Sequence, residues 1–351
     1  MLQDEAIELL KQLISIPSLS KEEQGTADAI QAYMQRKGVE GERHLNNVWA
    51  TNKYFDKSKP TILLNSHHDT VKPNKSYTKD PHKAIVEHDK LFGLGSNDAG
   101  GCLVSLLATF LHFYEKQNLP YNIVYAATAE EEISGANGIV ALLPLLSKID
   151  FAIVGEPTQM QLAIAEKGVI VIDCIAHGRA GHAAREEGVN AIYKAIKDIE
   201  WFKTFSFPKT SALLGPVKMS VTIIKAGSQH NVVPDTCDFT VDVRVNECYA
   251  NEEVVEIIKK HVECEVKPRS LRLKSSFIPE EHPIVKAGKS LGLKTYGSPT
   301  ISDRALMPFL SLKMGPGDSA RSHIADEFIY IDEIKTGIDT YIKMLDKLFT
   351  A

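Results

Sequence analysis

The sequence predicts an α/β chain in which a mainly parallel sheet, flanked by helices, is interrupted by a smaller inserted α+β domain carrying an antiparallel sheet. Three observations carry this. As far as Val154, short apolar strands alternate with periodic helices, the pattern of a parallel sheet covered on both faces. From Lys167 the chain turns β-rich, and Cys237, Phe239, Val241, Val243 and Val245 alternate strictly with polar neighbours, as a half-exposed antiparallel strand does. After about Ser276 the first pattern resumes. The expected division is therefore 1–166 with 277–351 as one domain and 167–276 as the insert. A length of 351 residues, at roughly 150 per domain, agrees with two.

Each element has its own reason. Ala6, Leu9, Leu10, Leu13 and Ile14 recur at helical spacing, and Pro17 stops the run. A second helix over Glu22 to Lys37 ends at Gly38. Thr61 to Asn65 (TILLN), Asn122 to Thr128 (NIVYAAT) and Phe151 to Val154 (FAIV) are short buried strands. Between them, Leu103, Leu106, Leu107, Phe110, Leu111 and Tyr114 mark a helix, and Ala136 to Leu146 is expected to form another. In the insert, Val169 to Ile175, Ser220 to Ala226 and Thr236 to Val245 read as strands, with helices over Val189 to Lys203 and Glu252 to Val262. Ile334, Ile338, Tyr341, Ile342 and Leu345 mark the closing helix. No internal repeat or low-complexity segment interrupts this order.

Composition excludes several classes. A hydrophobic fraction of 44% and a charged fraction of 24% are ordinary globular values, which excludes general disorder. Forty basic residues against 45 acidic ones leave −5, with no basic face for nucleic acid. No apolar run approaches the ~18 residues of a membrane span. Met1-Leu2-Gln3-Asp4-Glu5 carries acid where a signal peptide carries base. Cys102, Cys174, Cys237, Cys248 and Cys264 are odd in number and scattered, which argues against a disulfide framework. A cytoplasmic protein with neither a membrane nor a nucleic-acid partner is expected.

Four polar clusters stand at the ends of predicted strands or before a helix. His67-His68-Asp69 follows TILLN, Glu130-Glu131-Glu132 follows NIVYAAT, and Gly155-Glu156-Pro157-Thr158 follows FAIV. Asp98 lies in the glycine-rich turn from Gly93 to Gly101. Singly, each has a plain structural reading. A carboxylate triplet is usually a solvated face, and the glycine-rich turn lacks the Gly-Lys-Ser/Thr ending of a phosphate loop. Ligands of open α/β sheets bind beyond the carboxyl ends of the strands, so these groups are expected to converge. Carboxylates that close repel one another unless cations neutralise them. A mixed imidazole and carboxylate set without cysteine suits zinc, cobalt or manganese.

At these residues the chain resembles the dinuclear metallopeptidase family that includes acetylornithine deacetylase, succinyl-diaminopimelate desuccinylase, aminoacylase and glutamate carboxypeptidase. The likeness covers nearly the whole chain, insert included. It implies two divalent metal ions, zinc first and cobalt as the alternative, held by His67, Asp98, Glu132, Glu156 and His323. Asp98 would bridge them. His67 is taken over His68 because only it has the His-x-Asp spacing to Asp69, which would orient it. Matching Thr128 and Gly135 to the family's acidic motif gives Glu131 as catalytic base and Glu132 as ligand. Gly315-Pro316-Gly317 through Ser322-His323 resembles the closing motif. In the insert, Gly178-Arg179-Ala180-Gly181-His182 resembles the element whose histidine reaches a neighbouring subunit's site, and Asn231 and Arg244 match substrate contacts. Lys72 and Ala99-Gly100 depart from the family pattern without replacing a ligand.

The resemblance implies hydrolysis of the amide bond of a small N-acyl amino acid by a homodimer. N-acetylornithine, in arginine biosynthesis, is the first expectation. N-succinylornithine, N-acetyl-lysine, succinyl-diaminopimelate and small peptides are alternatives. A non-catalytic metal-binding scaffold is the reading of a different class, and Glu131 speaks against it, because a scaffold needs no base.

Overall fold

The run Gly101–Tyr114 (GCLVSLLATFLHFY) is apolar almost all round, and it forms a helix that is buried on nearly every face. On one side it packs on the strands Thr61–His67 and Asn122–Thr128; on the other it meets the helices Leu2–Ile14 and Ile331–Phe349. Both of those are amphipathic and bury most of the stripes expected of them: Ala6, Leu9, Leu10, Leu13 and Ile14 in the first, Ile334, Ile338, Tyr341 and Leu345 in the last, where Ile342 is only half-buried. The computed structural model describes residues 2–185 and 187–350.

Two compact units result: Met1–Ile164 with Phe277–Tyr296 and Ser302–Ala351, and Ala165–Ser276 with Gly297–Ile301. The segment 297–301, which the sequence pattern leaves in the first domain, packs with the second unit.

The main sheet runs in the order 42–44, 47–51, 122–128, 61–67, 151–154, 310–313, 162–166, 276–277, with 295–298 also pairing on 162–166. The four strands at its centre, Asn122–Thr128, Thr61–His67, Phe151–Val154 and Leu310–Lys313, are parallel. They are buried, apart from Leu310, as strands covered on both faces must be. Asn47–Thr51 adds antiparallel to Asn122–Thr128, and Leu162–Glu166 antiparallel to Leu310–Lys313, so the sheet is mixed at its flanks. A small antiparallel sheet of Ile85–Glu87, Lys90–Phe92 and Phe328–Tyr330 lies apart from it. The helix expected over 136–146 is short: Ile139–Leu142 is α-helical and Leu143–Leu145 a tighter turn. Pro144 supplies no N–H to continue the helix.

The second unit is a four-stranded antiparallel sheet, ordered 218–226, 236–245, 168–177, 265–268, with the helices Ala191–Thr204 and Asn251–Lys259. Asn190 caps the first helix, its side chain accepting the N–H of Ile192 at 2.9 Å. The alternating residues Cys237, Phe239, Val241, Val243 and Val245 face a core shared with Ile170, Ile172, Phe202, Val254 and Ile258. No helix among the described residues is long and apolar enough to cross a membrane.

Candidate metal centre

The register of the central strands sets the site. His67 pairs with Thr128 and Asn65 with Val154, so the polar residues just past each strand end emerge side by side at the carboxyl edge of the sheet. That is where open α/β sheets place their ligands. His67 Nε2 lies 3.3 Å from Asp98 Oδ1, 3.7 Å from Glu156 Oε1 and 3.9 Å from Glu131 Oε2. His323 Nε2 lies 3.0 Å from a Glu132 oxygen and 3.6 Å from Asp98 Oδ2. Asp98 therefore stands between two imidazoles with one oxygen toward each.

Ligand atoms of His67, Glu131 and Glu156 lie within 4.8 Å of one another, as do those of His67, Asp98 and Glu132. Nitrogen and carboxylate donors without a thiolate suit a borderline divalent ion such as zinc or cobalt. The donor set fits the group that the sequence resemblance implies. Glu131 differs from Glu132 in its neighbours: it sits on the His67 and Glu156 side, whereas Glu132 pairs with His323.

So many charges in a buried space shift one another. Burial, with Glu156, Asp303 and Glu132 adding to it, pushes the Glu131 carboxyl well above its ordinary range against the pull of His67. Burial and Asp98 likewise raise Glu132. Burial disfavours a charged His67, yet Glu131, Asp69, Asp98 and Glu156 outweigh it and lift the imidazole well above 6.5. The Glu132 contact lifts His323 to about 9. Burial alone would raise Asp98, but His67 and His323 hold it below the usual carboxylate range. Raised carboxylates around raised imidazoles are the signature of a negative surplus that a cation would relieve.

The acidic triplet is built by local constraints. Glu130 is left-handed at φ 55°, which turns the chain out of the strand. Its carboxylate accepts from the side chain and N–H of Asn137 at 2.8 and 3.1 Å, away from the imidazoles. Gly135 packs so close that a Cβ there would collide with the Glu130 side chain. Asp69 then takes the N–H groups of Glu131 and Glu132 at 3.0 and 3.1 Å. His67 Nδ1 is 3.0 Å from the main-chain oxygen of Asp69 and 3.4 Å from its carboxylate, so the carbonyl is the nearer partner. His68 points elsewhere, to the Thr26 hydroxyl at 2.8 Å and the Asn46 carbonyl at 2.9 Å.

Asp303 and Glu327 are buried acids beside these groups that the motif reading does not name. Asp303 accepts from Thr128 Oγ1 at 2.8 Å and Asn65 Nδ2 at 3.1 Å, and burial lifts it to about 6. Glu327 accepts the N–H groups of Gly95, Asn97 and Asp98, and burial and Asp98 push it up to about 8. The signal available for Glu327 was an acid four residues past His323, running into the apolar Phe328-Ile329-Tyr330.

The other expected site residues belong to the second unit. The short strands Gly181–His182 and Val232–Val233 pair, setting His182 opposite Val232, and Ala183 N–H donates to the Asn231 carbonyl at 3.0 Å. His182 and Asn231 are thus neighbours. Arg244 lies on a different strand and is held in a bidentate pair by Asp242, at 2.8 and 3.1 Å.

Comparison with known proteins shows the family. The model of peptidase family M20/M25/M40 matches residues 63–347. The acetylornithine deacetylase of Buchnera aphidicola is 28% identical, over 83% of this chain and 83% of its own. The [LysW]-lysine/[LysW]-ornithine hydrolase of Sulfurisphaera tokodaii is 26% identical, over 97% and 95%. The crystal structure of the aminopeptidase PepT of Bacillus cereus shares the fold with a TM-score of 0.78 at 17% identity, covering 99% of this chain and 98% of that one. By that family match over most of its length, the chain belongs to peptidase family M20/M25/M40, whose members are metal-dependent hydrolases.

Proposed function

We propose that this protein removes the acyl group from an N-acylated amino acid, N-acetylornithine first, with two divalent ions, zinc or cobalt, as cofactors. The observation that carries the reading is Asp98 between two imidazoles, with His67 and Glu156 on one side and His323 and Glu132 on the other. Those five residues would hold the ions, with Asp98 facing both sides. When bound, the ions supply Lewis acidity to the scissile carbonyl and acidify water. Glu131 takes the proton of the attacking water and returns it to the departing amine, a task suited to a carboxylate that stands beside the ligands, 3.9 Å from His67, without being one of the five. Asp69 keeps His67 and the triplet in place.

His182, reaching across a homodimer interface, donates to the oxygen that gains charge as the carbonyl is attacked. Arg244 exchanges Asp242 for the carboxylate of the amino acid, which its planar fork fits, and Asn231 lies beside His182 to contact the substrate. Two relatives named for ornithine chemistry support ornithine as the amine half. The dimer reading is supported by Tyr193, Ile196, Ile223 and Ile224, large apolar residues exposed on one helix and the edge strand it packs against.

A panel of acetylated and succinylated ornithine, lysine and diaminopimelate, with an alanyl dipeptide beside them, tests the reading. Acetylornithine should turn over fastest, a chelator should abolish activity, and zinc or cobalt should restore it. Faster cleavage of the dipeptide would make the protein a peptidase, and full activity in thoroughly demetallated protein would remove the two-ion mechanism.

A further inference from the structure

We propose that Glu327 is a positioning residue that fixes the Asp98 carboxylate relative to His323, and thereby sets how tightly the ion on the His323 side is held. The inference rests on the ligand assignment above. Glu327 is 1% exposed. One carboxylate oxygen accepts the main-chain N–H of Asn97 at 2.8 Å and of Asp98 at 2.9 Å, and the other accepts that of Gly95 at 3.1 Å. Its own carbonyl accepts the N–H of Gly93 at 3.0 Å. One residue thus gathers four N–H groups from the turn that carries Asp98.

The turn needs such a partner. Gly95 is left-handed at φ 74°, and Asp98 at φ −120°, ψ 96° is not helical, so the usual helical acceptors are not in reach of these N–H groups. Buried N–H groups without an acceptor are strongly disfavoured. A carboxylate satisfies three together. A glutamine offers a single oxygen and would set its own N–H₂ against a main-chain donor, and an aspartate is one methylene short.

The second half of the argument is where Glu327 sits along the chain. It follows His323 by four residues, so the side chain that grips the Asp98 turn belongs to the segment that carries the other imidazole. Asn97 laces the same two segments from the opposite end. Its amide donates to the Asp318 carbonyl at 3.0 Å, and its oxygen accepts the Asp318 N–H at 3.1 Å. Asp98 Oδ2 and His323 Nε2 come to 3.6 Å within that lacing. Asp98 also faces His67, at 3.3 Å, but His67 and Glu156 are themselves carried by strand ends, whereas the hydrogen bonds of Glu327 go to Gly93, Gly95, Asn97 and Asp98. Loss of its grip should loosen the ion on the His323 side more than the other.

The test is titration of metal-free protein with zinc against a chelating dye, which resolves the two affinities, alongside apo-protein thermal unfolding and kcat. Glu327→Gln should weaken the second ion by about 10–100-fold while the first moves by less than about threefold. Glu327→Asp should fall between it and the native protein. Excess zinc should restore kcat in both, because every ligand and Glu131 are intact; a merely structural loss would weaken both ions alike and resist rescue. Asp326→Asn, which alters only the cap on Thr78 and Lys79, should bind as the native protein does. If Glu327→Gln does not fold, Glu327→Asp decides. Native affinities in the folded variants, equal weakening of both ions, or failure of excess zinc to restore kcat each overturn the proposal. Asp98→Asn separates this from the ligand assignment itself: native affinity for both ions there would remove the assignment, whatever Glu327 does.

Discussion

The main-chain N–H of Glu131 donates to the carboxylate of Asp69 at 3.0 Å, tying the turn that carries the acidic triplet to the strand end that carries His67. The second oxygen of Asp69 accepts the Glu132 N–H at 3.1 Å and the Ser20 hydroxyl at 2.7 Å. Burial would raise such a carboxyl, but His67, Ser20 and the Glu132 N–H outweigh it and hold the group below its usual range. Expected from sequence to orient one imidazole, Asp69 also sets the height of two glutamates.

Asp69→Asn should therefore do more than misalign His67. Its amide N–H₂ would face a main-chain N–H, so Glu131 and Glu132 should both shift. Turnover and metal occupancy should fall together, measured by kinetics and elemental analysis of one sample. Ser20→Ala, which removes one of the bonds to the same carboxylate, should cost about 1 kcal/mol of stability and leave metal content unchanged. Unaltered metal content in Asp69→Asn would confine its role to the imidazole.

Glu131 and Glu132 should part company on substitution. Glu131→Gln keeps its size but accepts no proton, so it should retain both ions and lose at least the roughly 10²–10⁴-fold of positioned acid–base catalysis. Glu132→Gln should instead lose one ion, with activity partly recovered at high metal concentration. Exchanged phenotypes would show that the triplet's roles are reversed. Glu130 is not the substitute base in either outcome, because its carboxylate is engaged by Asn137.

What could be read from sequence follows from how each feature writes itself into the chain. The helices of 3.6 spacing, such as Leu2–Ile14, and the strictly alternating Thr236–Val245 were legible because one face is buried and the other is not. Asn47–Thr51 was not: it is short, begins with a buried asparagine and has no alternation. The ends of Thr61–His67, Asn122–Thr128 and Phe151–Val154 announced themselves by abrupt acid or histidine after an apolar run. Asp303 left no such mark, and Glu327 only the faint one of an acid running into Phe328-Ile329-Tyr330. Their work is to accept hydrogen bonds from residues about 175 to 240 positions away, and no local pattern records a partner at that distance. The helix at Ile139–Leu142 is shorter than its apolar run because Pro144, inside that run, has no N–H to carry the α-helix on.

The exposed apolar residues of the second unit give an oligomer test. Tyr193 and Ile196 lie one turn apart on Ala191–Thr204 and are 72% and 54% exposed, beside Ile223 and Ile224 at 48% and 53% on the edge strand. An edge strand with uncovered isoleucines invites pairing with another chain. Sedimentation should show a dimer, and Ile224→Glu should shift it toward monomer and lower turnover if His182 acts across the interface. His182→Ala should lower turnover with metal content unchanged. A fully active monomer at assay concentration would exclude a role in trans.

His68 makes the acid limb of stability measurable. Burial pushes its imidazole down to about 4 from 6.5, although Asp69 and the Asn46 carbonyl pull the other way. Above pH 6.5 the group is neutral in both folded and unfolded chains, and the stability it permits is fully present. Between 6.5 and about 4 the unfolded chain takes up a proton that the folded protein refuses, so stability falls as the pH falls. Below about 4 both states are charged and the loss is complete. At about 1.4 kcal/mol for each pH interval of one, that window corresponds to ~3 kcal/mol. His68→Gln keeps an amide able to reach Thr26 and Asn46 and does not titrate. Urea unfolding of metal-free protein at several pH values should show the native protein's stability converging toward, and even falling below, that of the variant as the pH drops from 7 to 4. Parallel curves over that range would mean that His68 carries a proton in the folded protein, and its two hydrogen bonds would then have to be reassigned.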